Sequence, residues 1–423
     1  MLPLKLIREK ADFVKERLAI KNFQANEIVK NVIELDVERR ALQGRLDAVL
    51  NESNILSKEI GQLFKSGKRE EAEKAKAKTI GLKEQSRLLE DKLKEVEKQL
   101  HDELIQLPNI PHQSVQAGKS EADNVTVKEG GEKPELTDGA VPHWDLLEKY
   151  NLMSLELGNK IAGAGFPVFT GRGAKLQRAL VAFFLDRAIE AGYTEYIPPL
   201  LVNEASAYGT GQLPDKEGQM YHVTEDGFYM IPTSEVPITN IYRNDILAEN
   251  DLPIKMTAHS QCFRREAGSY GKDVRGLNRV HQFEKVEIVQ VVQPEKSYET
   301  LNEMVAHVES LVKSLGLPYR ILRLCGGDCS FASALTYDFE VFSAAQNRWL
   351  EVSSVSNFET FQSNRMKIRY KNAEKKKNLV HTLNGSALAL PRIIAAILEN
   401  NQTPKGIKIP VVLRPYTGFD IID

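Results

Sequence analysis

Residues 263–287 read FRREAGSYGKDVRGLNRVHQFEKVE, two strand-like flanks around a charged, glycine-rich loop from 267 to 279. Side chains alternate in type along both flanks, and glycines punctuate the segment between them, which predicts an antiparallel hairpin. Residues two or four apart lie on the same side of a strand, so four side chains are expected on one sheet face. They are Arg264, Glu266, Phe283 and Glu287. A guanidinium, two carboxylates and an aromatic ring suit an anionic, planar, amine-bearing ligand, whereas a salt-bridged surface hairpin is the weaker interpretation.

The composition indicates a globular protein of more than one domain. The chain has 423 residues, 42% hydrophobic and 27% charged, which leaves room for two or three domains and at least one large core. The formal net charge is only −2. Contact with a nucleic acid would therefore depend on a local basic patch and not on the overall charge.

The number of cysteines and the hydropathy of the chain indicate the cellular compartment in which the protein is expected. Three cysteines in a chain of this length are typical of a reducing compartment. Cys325 and Cys329 are too widely spaced for a thioredoxin-type motif, and no neighbouring ligands complete a zinc set, so no structural zinc is expected. The N-terminus is too charged for a signal peptide, and no apolar run reaches ~18 residues. A cytoplasmic protein without membrane contact is expected.

The first hundred residues carry two heptad stripes. One stripe extends from Ile28 to Leu63 and the other from Ala72 to Leu100, with apolar residues at alternating steps of four and three. Ser66-Gly67-Lys68 interrupts the pattern, which predicts two helices folded back as an antiparallel coiled coil. About 36 residues at ~1.5 Å each give a rod on the order of 50 Å long. We therefore assign residues 1–107 to an N-terminal helical hairpin.

The function of such a rod is open on charge alone. A docking arm for a large partner and a dimerisation stalk are both possible. The lysines and arginines near the turn are diluted by Glu70, Glu71 and Glu73, and charged helix faces are usually just solvated.

The rest of the chain predicts an α+β domain. Residues 108–142 are polar and rich in glycine and proline, typical of a surface linker, and a globular domain is expected over 143–423. Helices are predicted over 176–191, 306–315 and 389–399, and strands over 193–202, 337–341 and 349–353. The order lacks a regular βαβ rhythm and a Gly-x-Gly-x-x-Gly turn, which favours an antiparallel sheet flanked by helices over a Rossmann fold.

Five segments together resemble one known family. They are the N-terminal hairpin, Leu157–Val202 with Pro198-Pro199, the 263–287 hairpin, Thr233-Ser234-Glu235, and LNGSALALPR at 383–392. In order and spacing they are similar to the bacterial-type seryl-tRNA synthetases, which are class II aminoacyl-tRNA synthetases. The likeness covers essentially the whole chain. It implies a class II antiparallel sheet, a tRNA-binding coiled-coil arm, and a homodimer whose first signature (157–202) lies at the dimer interface.

The resemblance also implies a serine site. Its residues would be Thr233, Ser234, Glu235, Arg264, Glu287 and Ser386. In the family pattern, Glu287 and Thr233 hold the substrate ammonium, and Glu287 with Ser386 meets the hydroxyl. Ser386 has a second interpretation as a helix N-cap, since hydroxyls are favoured there.

An ATP site is implied by the same resemblance. Its residues would be Arg264, Arg265, Glu266, Val280, Phe283, Glu351, Val352, Ser353, Ser354 and Arg392. Arg264 would bridge the serine carboxylate and the α-phosphate, and Arg392 the γ-phosphate; with Glu287 these are the expected catalytic residues. Glu351 and Ser354 offer hard oxygens for Mg²⁺ bound with ATP.

The implied activity is serine–tRNA ligation. The partners would be ATP, L-serine and tRNA(Ser), with selenocysteine tRNA as a further candidate, and the arm would reach tRNA across the dimer. Two other functions stay open: a non-catalytic paralogue that binds tRNA or a protein, and an aminoacyl ligase for a carrier protein. Retention of Arg264, Glu287, Glu351 and Arg392 disfavours the first. The long arm disfavours the second.

Overall fold

The computed structural model describes residues 1–266 and 275–423. The predicted loop glycines Gly268 and Gly271 lie outside the described residues. The described chain forms two compact units: residues 1–19 with 23–108, and residues 20–22 with 109–423. Within these ranges, no helix combines the length and the apolar character needed to cross a bilayer.

The first unit is built around the predicted helical hairpin. Its helices are α1 (Leu4–Glu9), α2 (Ala11–Ile20), α3 (Asn26–Lys65) and α4 (Arg69–Leu104). The turn falls at the predicted place, and Gly67 adopts a φ of 77°, where glycine has no steric penalty.

The two predicted stripes meet along the hairpin. Leu42 and Leu46 of α3 pack with Leu93 and Val96 of α4 in one buried cluster. Asp36, also buried, accepts ion pairs from Arg8 at 3.1 Å and Arg39 at 2.8 Å. The two partly exposed arginines therefore neutralise the buried carboxylate of α3.

The second unit combines helices of 4 to 20 residues with one large sheet and several small ones. Its helices are α5 (His143–Lys149), α6 (Leu155–Ile161), α7 (Gly171–Glu190), α8 (Glu204–Thr210), α9 (Glu235–Thr239), α10 (Ser297–Ser314), α11 (Thr360–Met366), α12 (Leu390–Asn400) and α13 (Arg414–Thr417). Its strands are β1 (Val125–Gly130), β2 (Met153–Ser154), β3 (Val168–Phe169), β4 (Thr194–Tyr196), β5 (Leu201–Asn203), β6 (His222–Val223), β7 (Phe228–Met230), β8 (Ile246–Ala248), β9 (Ile254–Phe263), β10 (Gln282–Val292), β11 (Tyr319–Arg323), β12 (Leu335–Ser343), β13 (Arg348–Asn357), β14 (Arg369–Lys371), β15 (Lys377–Leu379), β16 (His381–Ala389), β17 (Gln402–Thr403), β18 (Gly406–Lys408) and β19 (Ile421–Ile422).

In the described part of the chain, the largest sheet has eight strands in the order β1-β11-β12-β13-β16-β10-β9-β4. Its neighbours pair antiparallel except β4 with β9, which are parallel. Helices α7, α10 and α12 contribute to the main core beside it, which includes Phe184, Met304 and Ile394. This is the predicted α+β, antiparallel architecture.

The segment 108–142, predicted as a surface linker, contains β1, the edge strand paired with β11. One local prediction is wrong. The strand predicted over 193–202 is two strands, β4 and β5, which belong to different sheets. Pro198 and Pro199 separate them, since proline lacks the N–H that a ladder requires.

Candidate active site

The predicted hairpin is present and forms the base of the site. β9 and β10 pair antiparallel with Phe263 opposite Gln282. Phe283 lies opposite Cys262 and Glu287 opposite Ala258, so both project from the same face. The hairpin therefore places an aromatic ring and a carboxylate four residues apart on one surface.

Arg264 and Glu266 follow the end of β9. The Arg264 N–H donates to the His281 carbonyl at 3.0 Å, and the guanidinium lies 5.4 Å from the centre of the Phe283 ring. Glu266 has a φ of 48°, so it departs from the strand, and its carboxylate binds the Arg279 guanidinium at 2.9 Å. Arg264 therefore lies on the same side of the hairpin as Phe283, whereas Glu266 lies beyond the end of β9 and departs from the shared strand face.

A buried lysine lies between Phe283 and Glu287. The Lys285 ammonium is 2.6 Å from a Glu287 carboxylate oxygen and donates to the Thr233 hydroxyl at 2.8 Å. The Thr233 hydroxyl donates to the same Glu287 oxygen at 3.2 Å. All three residues are buried, so these polar groups satisfy one another in a site of low dielectric.

Glu235 is a second buried carboxylate near this cluster. Burial and the neighbouring charge of Glu287 raise the pKa of Glu235 to about 7. The Gln362 amide donates to Glu235 at 2.6 Å and is itself fixed by the Thr382 hydroxyl at 2.7 Å. Near neutral pH this carboxyl can therefore change its ionisation when a charged ligand arrives.

Ser386 and Ser234 occupy different positions around these acids. Ser386 of β16 lies directly across from Glu287 in the sheet register and is buried. The N-cap interpretation of Ser386 is wrong, because the residue before α12 is Ala389. The Ser234 hydroxyl bonds the Ser260 hydroxyl at 2.5 Å and is fully buried.

Arg392 lies at the start of α12. Its guanidinium donates to the Asn278 carbonyl at 3.0 Å and to the Glu351 carbonyl at 2.8 Å. The Glu351 carboxylate is 3.9 Å away. Burial lowers the pKa of Arg392 from its ordinary value. Since arginine remains charged in proteins, the site holds a fixed, partly desolvated cation.

A β-bulge brings Glu351 and Ser354 together. The register between β12 and β13 shifts at Val352, which pairs with no residue of β12. The extra residue reverses the alternation, so residues three apart share a side, and the Ser354 hydroxyl donates to the Glu351 carboxylate at 3.5 Å. Val352 and Ser353 are buried, and the Ser353 hydroxyl donates to the Ser386 carbonyl at 2.5 Å.

The surroundings of Glu351 fit a divalent cation. Asp338 lies opposite Ser354, and one of its carboxylate oxygens is buried without a hydrogen-bond partner. Burial and the adjacent Glu351 raise the pKa of Asp338 well above its ordinary value. A bound Mg²⁺ would provide a partner for this Asp338 oxygen and would reduce the repulsion between the Asp338 and Glu351 carboxyls. No group of three or more histidine, cysteine or acidic side chains with metal-binding geometry occurs in ranges 1–266 and 275–423.

Two further predicted residues flank the strands of the hairpin. Val280 is buried two residues before β10. Arg265 is exposed, and its N–H donates to the Gln219 carbonyl at 2.9 Å.

Three polar residues of the site were not predicted. Alternation along 283–287 places Lys285 beside Glu287, so that signal was available in the sequence. Gln362 and Asp338 reach the site from α11 and β12, and no local pattern indicates them.

Comparison with known proteins defines the class first. The sequence profile of the tRNA synthetase class II core domain (G, H, P, S and T) matches residues 221–401. The second unit thus carries the core of a class II aminoacyl-tRNA ligase. The profile of the seryl-tRNA synthetase N-terminal domain matches residues 1–111.

Full-length relatives define the family. A serine–tRNA ligase from Salinibacter ruber is 52% identical over 421 residues, covering 99% of this chain and 98% of that protein. The crystal structure of seryl-tRNA synthetase from Pyrococcus horikoshii complexed with ATP superposes with a TM-score of 0.91 at 35% identity, covering 100% and 99% of the two chains. The crystal structure of the cytoplasmic serine–tRNA ligase from Naegleria fowleri in complex with AMP superposes with a TM-score of 0.87 at 30% identity, and it covers 100% and 99% of the two chains. The chain belongs to the seryl-tRNA synthetase family.

Proposed function

We propose that the chain activates L-serine with ATP, forming seryl-adenylate and diphosphate, and then transfers serine to the 3′-terminal adenosine of tRNA(Ser). The observation that carries this proposal is the convergence at one sheet of a buried carboxylate, Glu287, with Ser386 across the strands and Arg264 beyond the strand end. The relatives' names support the choice of serine.

Glu287 and Thr233 would receive the serine ammonium. Their oxygens already bind an ammonium group in this structure, that of Lys285, which supports their use for a second cation. Glu287 with Ser386 would meet the serine hydroxyl, and the Thr233–Glu235 segment would form the wall. A site whose buried polar groups need a hydroxyl rejects an analogue without one by ~10⁴–10⁵.

Activation needs orientation and charge neutralisation more than proton transfer. The serine carboxylate is already ionised at pH 7 and attacks the α-phosphate, so two anions must approach each other. Arg264 would bridge them with its planar fork, and Arg392 would hold the γ-phosphate. The Arg392 guanidinium is already held by two backbone carbonyls, which reduces the reorganisation needed on binding, and the Arg264 guanidinium lies over the Phe283 ring.

The adenine would lie between the Phe283 ring and the Arg392 guanidinium. Glu266 and the Val280 backbone would read its edge, with Arg265 next to the phosphates. Glu351 and Ser354 would hold Mg²⁺, and the Val352–Ser353 segment would line the site. The bound cation would neutralise phosphate charge.

The tRNA would be held by the first unit. We assign residues 1–107 to a tRNA-binding arm, 108–142 to a connecting segment and 143–423 to the catalytic domain. The arm's dispersed lysines and arginines suit recognition of backbone shape. Selenocysteine tRNA remains a candidate second substrate.

A homodimer would complete the assembly. Large apolar side chains are exposed in the segment expected at the interface, with Ile161 at 75% and Ile197 at 91%. Such exposure of apolar groups supports a contact with a second copy, across which the arm would reach tRNA. Since charging serves protein synthesis, the proposed location is the cytoplasm.

The proposal is tested by ATP–pyrophosphate exchange with the purified full chain. Exchange should depend on serine and should be negligible with alanine or threonine. A well-folded chain that shows no serine-dependent exchange would instead support the non-catalytic paralogue.

Deletion of residues 32–100 provides the second arm of the test. The shortened chain should retain exchange but lose charging of tRNA(Ser). Unchanged charging would favour a ligase for another acceptor, such as a carrier protein.

A further inference from the structure

A buried imidazole–carboxylate pair packs against residues 275–278, which precede β10. His143 at the start of α5 and Glu399 near the end of α12 are both 0% exposed. The Glu399 carboxylate accepts the His143 backbone N–H at 2.9 Å and the ring Nδ1 at 2.7 Å. It also accepts the Ser343 hydroxyl and the Gln346 side-chain amide, the latter at 2.9 Å.

The ring has a defined tautomer. The backbone N–H of Leu277 donates to Nε2 of His143 at 2.9 Å, so Nε2 carries no proton. Nδ1 therefore holds the proton and donates it to Glu399. Burial opposes ionisation of Glu399, but hydrogen bonds from His143 and Ser343 outweigh it and lower its pKa, so the carboxylate remains an acceptor.

The same pair is connected to Arg392. Gln346, fixed by Glu399, accepts the side-chain amide of Asn278 at 3.0 Å. The Asn278 carbonyl in turn accepts the Arg392 guanidinium at 3.0 Å. A continuous set of hydrogen bonds thus leads from His143 and Glu399, through residues 277–278, to a proposed phosphate-binding cation.

The fit against the ring is close. Gly276 has a φ of 65°, and a Cβ added there would lie 2.3 Å from Nε2 of His143. The neighbouring Arg275 guanidinium lies 4.7 Å from the centre of the Trp144 ring. Residues 275–278 are therefore held one by one against α5 and its neighbours.

We propose that His143 is a positioning residue for ATP binding: its neutral ring fixes Leu277 and Asn278, and this sets the orientation of the Arg392 guanidinium. The inference rests on the proposed function only for the identity of the ligand. The His143 ring is fully buried, so it has no role in the chemical step.

Two substitutions of His143 separate its two hydrogen bonds. In H143N the side-chain amide reaches the position of Nδ1 and retains the bond to Glu399, but nothing reaches the Leu277 N–H. In H143Q the longer amide reaches the position of Nε2 and restores an acceptor for Leu277. A merely structural role predicts that both variants lose stability without selectivity for one substrate.

The measurements are calorimetric Kd values for Mg·ATP on the full chain and the KM for serine in exchange. H143N should weaken ATP binding about tenfold, the equivalent of about 1.4 kcal/mol for one buried hydrogen bond, with the KM for serine within about twofold. H143Q should recover most of the loss. Equal ATP affinity in folded H143N and wild type, or a matching rise in the KM for serine, would overturn the proposal.

A second variant covers the case in which H143N does not fold. Gln346 is only partly buried, and Q346M removes its link to Asn278 while His143 remains. Q346M should weaken ATP binding selectively, and unchanged binding would count against the proposal. Since ATP binding is measured directly, a chain that binds ATP but does not activate serine would contradict the proposed function and not this inference.

Discussion

The ion pair between Lys285 and Glu287 provides a test that separates stability from activity. The two side chains are 6% and 2% exposed, and the ammonium lies 2.6 Å from the carboxylate. Removing one partner of a buried pair leaves an uncompensated charge and costs about 3–5 kcal/mol. Replacing both partners by neutral groups of similar volume is often nearly neutral.

The two single substitutions should lower the free energy of unfolding by different amounts. In E287Q, the remaining Lys285 ammonium still has Glu235 as a nearby counter-charge, so the cost should lie near 3 kcal/mol. In K285M, two buried carboxyls face each other without a cation, so the cost should lie near 5 kcal/mol. The double variant K285M/E287Q should unfold within ~1 kcal/mol of wild type.

Denaturant unfolding of the full chain measures the free energy of unfolding of each variant, and serine-dependent exchange measures its activity. E287Q and the double variant should both lose exchange at ordinary serine concentrations, although only E287Q is destabilised. Additive effects in the double variant would refute the proposed pairing. A wild-type KM for serine in folded E287Q would refute its place in the serine site.

Three further predictions concern other parts of the molecule. R264K should lower exchange by about 10²-fold or more, because lysine lacks the planar fork, whereas R187K on α7 should not change it; comparable rates for both would contradict the assignment. The raised pKa of Glu235 means that the folded state binds more protons than the unfolded state between pH 4.5 and 7, so this group's contribution to stability falls as pH rises. The free energy of unfolding of E235Q should therefore rise by about 2–3 kcal/mol relative to that of wild type as the pH increases from 5 to 8. A difference between the two chains that does not change with pH would exclude the raised pKa of Glu235. L93A should destabilise the helical hairpin by about 2–5 kcal/mol in thermal unfolding, whereas L88A, at a position 54% exposed, should cost less than about 0.5 kcal/mol; equal costs would contradict the packing.

Elements with a strong local pattern could be predicted from the sequence. The heptad stripes of α3 and α4 and the alternation around 263–287 are set by near neighbours, so their periods indicate which face is buried. β1 gives no such signal, because four of its six residues are exposed at the sheet edge and its partners lie almost 200 residues away. The division of 193–202 into two strands has a local signal in Pro198-Pro199, whereas the sheet that each half joins depends on partner strands elsewhere in the chain.

The site was predictable to the extent that its residues share one strand or one motif. Phe283 and Glu287 follow directly from the alternation, and the same argument applies to Lys285. Glu266 departs from the expected face because its backbone turns into the left-handed region. Asp338 lies opposite Ser354, Gln362 contacts Glu235, and His143 contacts Leu277. Each of these contacts joins segments distant in sequence, so only the folded chain reveals them.

Serine–tRNA ligation is tested most directly by transfer of labelled L-serine to the 3′ end of tRNA(Ser) by the full chain. The wild-type chain should form the ester to near completion, and folded E287Q should form none at the same serine concentration. Charging by E287Q at the wild-type rate, or failure of the folded wild-type chain to charge tRNA(Ser), would contradict the proposed activity and its serine site.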